Sequence, residues 1–487
     1  MKMNTTNVLL KCCKYNCLLV VSMACFSVTM AQDTHYNTVQ FGARSALMGG
    51  AVLGNVKDNT AVFYNPGGLG FIDSSTLSIN GNAYQLENIR IYNAVGEKKD
   101  FKSSSLGSVP LFVGGMFSKS NKKLKIGYSI MSSVNFNFKA TARVDQNVNI
   151  VNDTESPGNE EFIGQASINT RLSELVFGIG GGYKLNDKWA IGLSNLFYIR
   201  SLSFERSTYA RFFLNEPGSP LVSSSFVRNA DFSNVRYAAK FGINYQDKNF
   251  SAGLTFTTPS LRLMGTGTIA ADVIGTNILY KGSRTSLLAD DRQEKLKSFY
   301  KSPLSITGGV NWTVSRSSFG IALQYFGSTA VYDVLRAAPS AFIRPAELNT
   351  SLGGSDQFLR LKEAAKSVFN IALGYEYLLK SGVILSASIR TNQSYYDKNL
   401  DNYTGLKSDV SSWDIIHIAA GSTFTRGRSK ISIGLLYSSG QDNSRQQQGG
   451  LDNPSEDNFL QGKATITKAT YSSVGLLLGY TFALKKY

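Results

Sequence analysis

Residues 319–325 read Phe-Gly-Ile-Ala-Leu-Gln-Tyr, and this short stretch carries the pattern that decides the fold. Large apolar or aromatic side chains occupy every second position, and small or polar ones stand between them. A period of two is typical of a β-strand with one apolar face. The pattern recurs at residues 304–313, 369–377 and 431–438. Alternation alone leaves two folds open, because soluble β-sandwiches and membrane β-barrels both produce it.

The connections between the alternating stretches distinguish these folds. Short polar turns and long connections follow one another strictly along the chain, as in outer-membrane barrels, whose periplasmic turns are short and whose outer loops are long. The short turns are predicted at residues 118–123, 186–188, 246–249, 315–317, 380–382 and 426–429. The long connections are predicted at residues 93–105, 145–160, 214–224, 272–300, 335–365, 398–411 and 442–460.

Six short turns and seven long loops predict an all-β, 14-stranded antiparallel transmembrane barrel that begins near Ser75 and ends near Phe482. Both ends of the barrel then lie on the periplasmic side. Aromatic residues beside the short turns, such as Phe117, Trp189 and Phe424, predict a girdle at the membrane interface. The last strand contains alternating aromatic residues and resembles the assembly signal of outer-membrane barrels. The barrel assembly machinery is therefore an expected partner.

Residues 1–31 have the features of a secretory signal peptide, with lysines around an apolar run and Ala31 at the cleavage position. All four cysteines lie in this segment, so a chain cleaved before Gln32 has no disulfide, thiol nucleophile or thiolate metal site. A lipoprotein with lipidated Cys25 is the alternative, but Ser22 stands where an aliphatic residue is expected. The predicted location is the outer membrane of a Gram-negative bacterium.

The formal net charge of +16 raises the hypothesis of nucleic-acid binding. The basic residues are scattered, however, and an exported protein seldom meets nucleic acid, so we expect contact with outer-membrane lipids and lipopolysaccharide instead. The chain has only two histidines, His35 and His417, and both are predicted to be structural. We find no catalytic constellation in the sequence and expect a monomeric protein that is not an enzyme and has no cofactor or metal.

Residues 32–72 do not alternate, and they contain two short motifs. The first comprises Gly42, Arg44, Ala46, Met48, Gly49, Gly50 and Ala51, and the second comprises Asp58, Asn59, Thr60, Ala61, Asn65, Pro66, Gly68 and Leu69. At this spacing they resemble the FadL/TodX family of outer-membrane transporters for long-chain fatty acids and other hydrophobic compounds. Gly67 departs from the family, which usually has alanine there.

The resemblance implies that residues 32–72 form a hatch that plugs a barrel made of residues 73–487. The residue types agree with a plug: the glycine pairs permit tight turns, Pro66 stops a helix from crossing it, and Asn65 can bond local backbone in a turn. The residues expected to seat or gate the hatch are Arg44, Met48, Gly49, Gly50, Asn65, Pro66, Gly67, Gly68 and Leu69.

Two long connections, residues 286–300 and 355–366, show helical spacing of apolar residues. We predict an amphipathic helix in each and a ligand-capture groove between their apolar faces, where an arginine meets a carboxylate. The residues of this groove are Leu288, Arg292, Leu296, Phe299, Phe358, Arg360 and Leu361. Packing of the two helices on each other or on the barrel rim is the alternative.

The sequence thus predicts passive transport of a hydrophobic small molecule such as a long-chain fatty acid. The runner-up is a barrel that binds protein partners in secretion, like the type IX shuttle protein PorV, which resembles the same family. A structural or adhesive barrel is a third hypothesis. A lipid channel needs an apolar groove for its ligand, whereas a protein-docking barrel needs large, ordered outer loops.

Overall fold

The computed structural model describes residues 33–486 except 73, 118–122, 152, 281, 345–353, 404–405, 407–410, 448, 457, 461 and 463. The predicted signal peptide and its cleavage site lie outside these described residues. The strands are β1 Ser74–Ile91, β2 Phe101–Met116, β3 Leu124–Val148, β4 Glu160–Lys184, β5 Trp189–Phe213, β6 Leu221–Gln246, β7 Phe250–Thr257, β8 Leu261–Tyr280, β9 Ser283–Lys297, β10 Ser305–Val314, β11 Ser317–Phe326, β12 Thr329–Arg336, β13 Arg360–Ala365, β14 Val368–Leu378, β15 Ile384–Asn392, β16 Asp414–Arg426, β17 Ser429–Gln446 and β18 Ile466–Lys486. The helical segments are α1 Ala43–Leu47, α2 Ala61–Tyr64, α3 Ser355–Phe358 and the 3-10 turns Pro66–Phe71 and Lys398–Asn402.

The predicted 14-strand antiparallel barrel is confirmed. Around the wall the order is β1, β2, β3, β4, β5, β6, β7, β10, β11, β14, β15, β16, β17 and β18, and β18 pairs with β1 to close the ring. β6 has two successive partners on one side: its periplasmic half pairs with β7, and its outer half pairs with β8. β8 and β9 therefore rise above the ring as a hairpin, and β12 with β13 forms a separate two-stranded sheet.

The predicted sorting of the connections is also confirmed. One rim carries short turns, such as residues 315–316 and 427–428. The other rim carries long connections, including residues 393–413 and the excursions that contain β8–β9 and β12–β13. The turn predicted at residues 118–123 lies almost wholly outside the described residues.

The outward face of the wall carries the apolar band that a membrane requires. On β4 and β5, the outward side chains of Leu175, Phe177, Ile191 and Ile199 are between 42% and 48% exposed. Near the short turns the band ends in exposed aromatic residues such as Trp189, as the predicted girdle requires.

Four strands continue well beyond this band. A membrane-spanning strand needs about 9–11 residues, whereas β3, β4 and β5 each have 25 residues and β6 has 26. Above Leu175 and Ile199, the outward rows across β4, β5 and β6 become polar. These rows are Ser173–Ser201–Ser233 and Arg171–Ser203–Asp231. The outer half of this sheet therefore stands clear of the hydrocarbon layer.

The prediction of an amphipathic helix in each of the two outer connections is wrong. Residues 286–297 belong to β9 and pair with β8, and residues 360–365 form β13 and pair with β12. Among the described residues of these two connections, only α3, a single turn, is helical. Pairing with a neighbouring strand outweighs local helix propensity, which is a weak preference. Among the described helices, none is long and apolar enough to cross a membrane.

A large apolar core fills the outer half of the barrel. Inward side chains of the long strands, such as Phe138 and Phe204, pack there with Leu335, Leu361 and Leu451 from the outer connections. A polar lumen lies between this core and the periplasmic rim.

Candidate functional site

Residues 33–72, the hatch, lie inside the barrel and are bonded to its wall. The Asn65 amide nitrogen donates to the carbonyls of Leu53 and Ile243, both at 3.1 Å, so it joins two parts of the hatch to β6. The Asn65 side-chain oxygen accepts a hydrogen bond from the Gly67 backbone at 3.0 Å, and Pro66 begins the 3-10 turn. The turn chemistry predicted for Asn65 and Pro66 is therefore confirmed.

Wall glycines allow the hatch backbone to approach closely. A Cβ added at Gly192 would lie 2.5 Å from the backbone nitrogen of Gly67, and one at Gly374 would lie 2.8 Å from the carbonyl oxygen of Met48. The other wall glycines whose Cβ would meet the hatch include Gly182, Gly242, Gly253, Gly309, Gly320, Gly421, Gly434 and Gly479. The glycine excess of the sequence thus has a packing cause: many strands contribute a glycine facing the plug.

The predicted hatch residues lie at these contacts. Gly49 and Gly50 adopt left-handed backbone angles, with φ of 61° and 84°, which favour glycine. Met48 and Leu69 are fully buried, and Gly68 packs near Val56.

Gly67, where the family usually has alanine, has little free space beside it. A Cβ there would lie 3.0 Å from the carbonyl oxygen of Gly242 and 3.1 Å from that of Ala190. The departure from the family therefore fits a closer approach of hatch and wall.

Arg44 fixes the other side of the hatch. Its guanidinium donates two parallel hydrogen bonds of 2.8 Å to the carboxylate of Glu376 on β14 and a third, of 2.7 Å, to the carbonyl of Asn55. Bidentate pairs of this kind are strong and geometrically specific. Arg44 thus bridges two hatch segments to the wall near the periplasmic rim.

The first described residues run through the middle of the lumen. The Tyr36 ring stacks between Phe326 and Tyr395, with centroid separations of 4.2 and 4.5 Å. Arg390 on β15 donates hydrogen bonds to the carbonyls of Asn37 and Thr38 at 2.7 and 2.8 Å. Residues 33–40 are therefore held by the wall rather than trailing freely.

The two histidines make local hydrogen bonds, as expected of structural residues. His35 bonds the Asp33 carboxylate and, at 2.8 Å, the carbonyl of Trp413. His417 bonds the Ser438 hydroxyl at 2.7 Å. Burial alone would raise the pKa of the Asp33 carboxyl, but the charge of His35 and hydrogen bonds from neighbouring side chains hold that pKa below its ordinary value.

A buried charge cluster lies on the inner wall just above the hatch. Glu174 on β4 accepts hydrogen bonds from Arg200 at 3.1 Å, from Arg236 at 2.6 Å and from the Ser133 hydroxyl at 2.9 Å. All three charged residues are 5% exposed or less. Within the described chain, Nε and Nη2 of Arg200 and Nη1 of Arg236 have no hydrogen-bond partner. Both guanidinium groups therefore have donor atoms that could bind a further acceptor.

These donors line a cavity of about 80 Å³. The Arg200 guanidinium lies 3.9 Å from the Tyr300 ring centroid, and the Tyr300 hydroxyl is 3.0 Å from that of Tyr395. Lys240 completes the cationic side and donates to the carbonyl of Phe63 in the hatch. The cavity wall thus combines three basic side chains and one carboxylate with aromatic rings.

Three smaller cavities, of about 50, 50 and 20 Å³, lie around the same N-terminal stretch. Each is lined by residues from the range 33–40, as is the cavity of the charge cluster. This segment therefore divides the lumen into compartments.

The wall has a side opening between β2 and β3. Both strands pair with their other neighbours along most of their length, but they pair with each other only from Phe112–Met131 to Met116–Gly127. Beyond that, the backbone of Lys139 donates to the Ser103 hydroxyl at 3.2 Å. The gap between these two points contains the highly exposed Leu106 and leads to the 20 Å³ cavity.

The residues predicted to capture ligand do not form one groove. Leu288 and Arg292 lie on the outward face of β9, where Arg292 pairs with Glu294 at 2.8 Å. Leu296 is half-buried against the outer core, and Phe299 is exposed beneath the guanidinium of Arg262.

The remaining capture residues lie under the outer connections. Phe358 stacks on Phe342 at 5.0 Å, Leu361 is fully buried, and Arg360 lies 3.7 Å from Asp333. Phe358 and Leu361 are packed against neighbouring side chains, as the alternative interpretation expects. The role of the seven residues in ligand capture stays a prediction.

Sequence reasoning missed Glu174, Arg200, Arg236 and Lys240. The signal was available: each is a charged residue in the inward phase of a strand whose outward phase is apolar. Their meeting could not be predicted, because it depends on the register between β4, β5 and β6. In the described part of the chain, no group of three or more His, Cys, Asp or Glu residues could hold a metal ion.

A closed transmembrane barrel with a segment packed inside its lumen defines the structural class. A FadL homologue from Pseudomonas aeruginosa aligns with a TM-score of 0.57 at 12% identity, covering 93% of this chain and 100% of that one. The toluene transporter TodX of P. putida gives 0.53 at 15%, covering 92% and 99%, and the Ralstonia pickettii toluene transporter TbuX gives 0.51 at 13%, covering 92% and 100%. No protein-family model and no curated protein matches the sequence.

The likeness shows the fold of the FadL/TodX barrels, with nearly the whole of each chain aligned. The resemblance found in residues 42–69 is thereby confirmed at the level of architecture.

Proposed function

We propose that this protein is an outer-membrane passive transporter for hydrophobic small molecules that carry a carboxylate, in the size class of long-chain fatty acids. The observation that supports this most is the 80 Å³ cavity of the charge cluster, where Arg200 and Arg236 present buried donors among aromatic rings. The structural relatives, a FadL homologue and two toluene transporters, support the proposal at the level of the fold.

The chemistry of the cavity fits an amphipathic ligand. Burial of the apolar tail contributes about 25 cal/mol per Å², without a cofactor or an energy source. A guanidinium–carboxylate hydrogen bond is charge-assisted and roughly twice as strong as a neutral one. Movement down a concentration gradient then needs only a site that binds and a path that opens.

A long-chain ligand does not fit in a cavity of about 80 Å³. Transport therefore requires residues 33–40 to move aside and join the compartments that they separate. The contacts of Tyr36 and the Arg390 hydrogen bonds are those that must break. The hatch below them, held by Arg44 and the wall glycines, can stay in place while the ligand leaves through the side opening.

Replacing Arg200 with methionine tests the proposal. We expect binding of a fluorescent long-chain fatty acid to fall by about 10- to 100-fold, because a hydrogen bond to a charged group contributes about 1.5–3 kcal/mol. Binding of the fatty alcohol of equal length should stay unchanged. Arg171→Met, on the outward face of β4, is the matched control. Equal losses for acid and alcohol would contradict carboxylate recognition, and a selective loss in Arg360→Met would place capture at the outer connections instead.

Protein docking, as in the PorV-like hypothesis, is the second candidate, and one observation favours it. The extended outer sheet carries the exposed apolar side chains of Tyr209, Phe213, Leu221, Ile274 and Leu288 on its outward face, beyond the polar rows. Such patches commonly mark interaction surfaces. Changing Phe213 and Leu221 to aspartate should leave fatty-acid uptake intact if transport is the function, and should impair protein secretion by the host if docking is.

A further inference from the structure

The periplasmic half of β1 turns polar side chains toward the hatch. Thr76, Ser78 and Asn80 face inward at every second position, and each is 3% to 5% exposed. This differs from the glycine-lined side of the barrel, where the wall touches the hatch backbone directly. The hatch therefore meets two chemically different surfaces.

Ser78, Gly114 and Ser129 form one row across β1, β2 and β3. The hatch residue Asn59 lies in front of the middle member: a Cβ added at Gly114 would be 3.1 Å from the Asn59 amide nitrogen. Asn59 and Ser129 are both fully buried. An amide thus lies between two hydroxyl-bearing strands at the height of the hatch.

Within the described chain, these side chains leave six polar atoms without a hydrogen-bond partner. They are Nδ2 and Oδ1 of Asn59, Oγ1 of Thr76, Oγ of Ser78, Nδ2 of Asn80 and Oγ of Ser129. Buried polar groups almost always have a partner, and where protein supplies none, bound water does.

On the opposite side of the hatch, wall amides donate directly to hatch carbonyls. Asn244 donates to Gly54 at 3.0 Å, and Asn311 donates to Ala51 at 2.7 Å. Among the described residues of that side, Oδ1 of Asn244 and Oγ of Ser194 also have no hydrogen-bond partner, but they lie at different heights of the wall and form no continuous row. The β1–β3 side of the hatch therefore differs from the opposite side in having its unpartnered polar atoms side by side.

We propose that Asn59, Thr76, Ser78, Asn80 and Ser129, the polar seam, form a water-filled path between hatch and wall. Above Asn80, the next inward residue of β1 is Asn82, which lines a 50 Å³ cavity together with Gln85 and Leu111. At the other end of the seam, β1 reaches the periplasmic rim. The path takes water and small polar solutes. It is separate from the route of a hydrophobic ligand and does not depend on which ligand the protein carries.

Cysteine accessibility tests the seam directly, because the sequence has no cysteine beyond residue 25. Ser78→Cys and Ser129→Cys place thiols in the seam. Ser251→Cys is the matched control. Ser251 is also a buried serine of the wall, but the hatch packs closely against it: a Cβ added at Gly54 would lie 2.7 Å from the Ser251 carbonyl oxygen. We expect a small hydrophilic methanethiosulfonate to label the two seam thiols at least about tenfold faster than the control. Equal labelling of all three would overturn the proposal.

A second measurement does not rely on the cysteine variants. Asn59→Leu replaces the central amide with an apolar side chain of similar size. Osmotic water permeability of liposomes containing this variant should fall several-fold relative to wild type, while fatty-acid binding stays unchanged. An unchanged water permeability would also overturn the proposal.

Discussion

Replacement of Gly192 by valine should unseat the hatch. The added Cβ would lie 2.5 Å from the Gly67 backbone nitrogen and even closer to the Pro66 carbonyl, and backbone atoms cannot rotate away as a side chain can. Overpacking typically costs about 1–3 kcal/mol, and we expect the upper end of that range here. A cost of about 3 kcal/mol shifts the ratio of seated to unseated hatch roughly 100-fold. Swelling of liposomes in sugars should then approach that of a barrel lacking residues 32–70.

Gly181→Val is the matched control for Gly192→Val. Gly181 lies on β4, and a Cβ there would meet its nearest atom, on Leu124, at an ordinary 3.8 Å. This variant should swell as slowly as wild type. Slow swelling in both variants, with both barrels folded, would show that the hatch does not depend on the close contact at Gly192.

Local patterns in the sequence predicted the wall because each strand and turn is encoded locally. Alternation such as that of residues 319–325 fixes which side chains face lipid, and turn residues fix where a strand reverses. Since a barrel wall has one strand between each pair of connections, the loop order was sufficient for the strand number. The hatch was predictable for a different reason: its close turns demand glycine, proline and asparagine at fixed positions.

The outer connections and the lumen were not predictable in this way. The apolar spacing of residues 286–300 fits a helix as well as a strand, and only the pairing of β9 with β8 decides between them. The charge cluster depends on two registers at once, that of β4 with β5 and that of β5 with β6, and a shift of one residue would turn Arg200 toward lipid.

Replacement of Glu174 by leucine should destabilise the barrel strongly. The change leaves Arg200 and Arg236 buried without their shared carboxylate, and removing one partner of a buried ion pair costs about 3–5 kcal/mol. Glu205→Leu, an exposed carboxylate on the outward face of β5, should change stability by no more than about 0.5 kcal/mol. Urea unfolding in lipid vesicles, followed by the loss of the compact form on unheated gels, measures both.

A smaller change at the same position links this stability to ligand binding. Glu174→Ala vacates the carboxylate position while keeping the two guanidinium groups, so an added short-chain carboxylate can take its place. The carboxylate should raise the unfolding midpoint of Glu174→Ala more than that of wild type, whereas the equivalent alcohol should raise neither. Removing all three charges, as Glu174→Leu with Arg200→Met and Arg236→Leu, should recover most of the lost stability, because no uncompensated charge then remains. If the triple variant is as unstable as Glu174→Leu alone, packing rather than charge holds these strands together. Uncompensated positive charge at Arg200 would then not be the cause of the instability, and the proposal that Arg200 attracts a carboxylate ligand would fail.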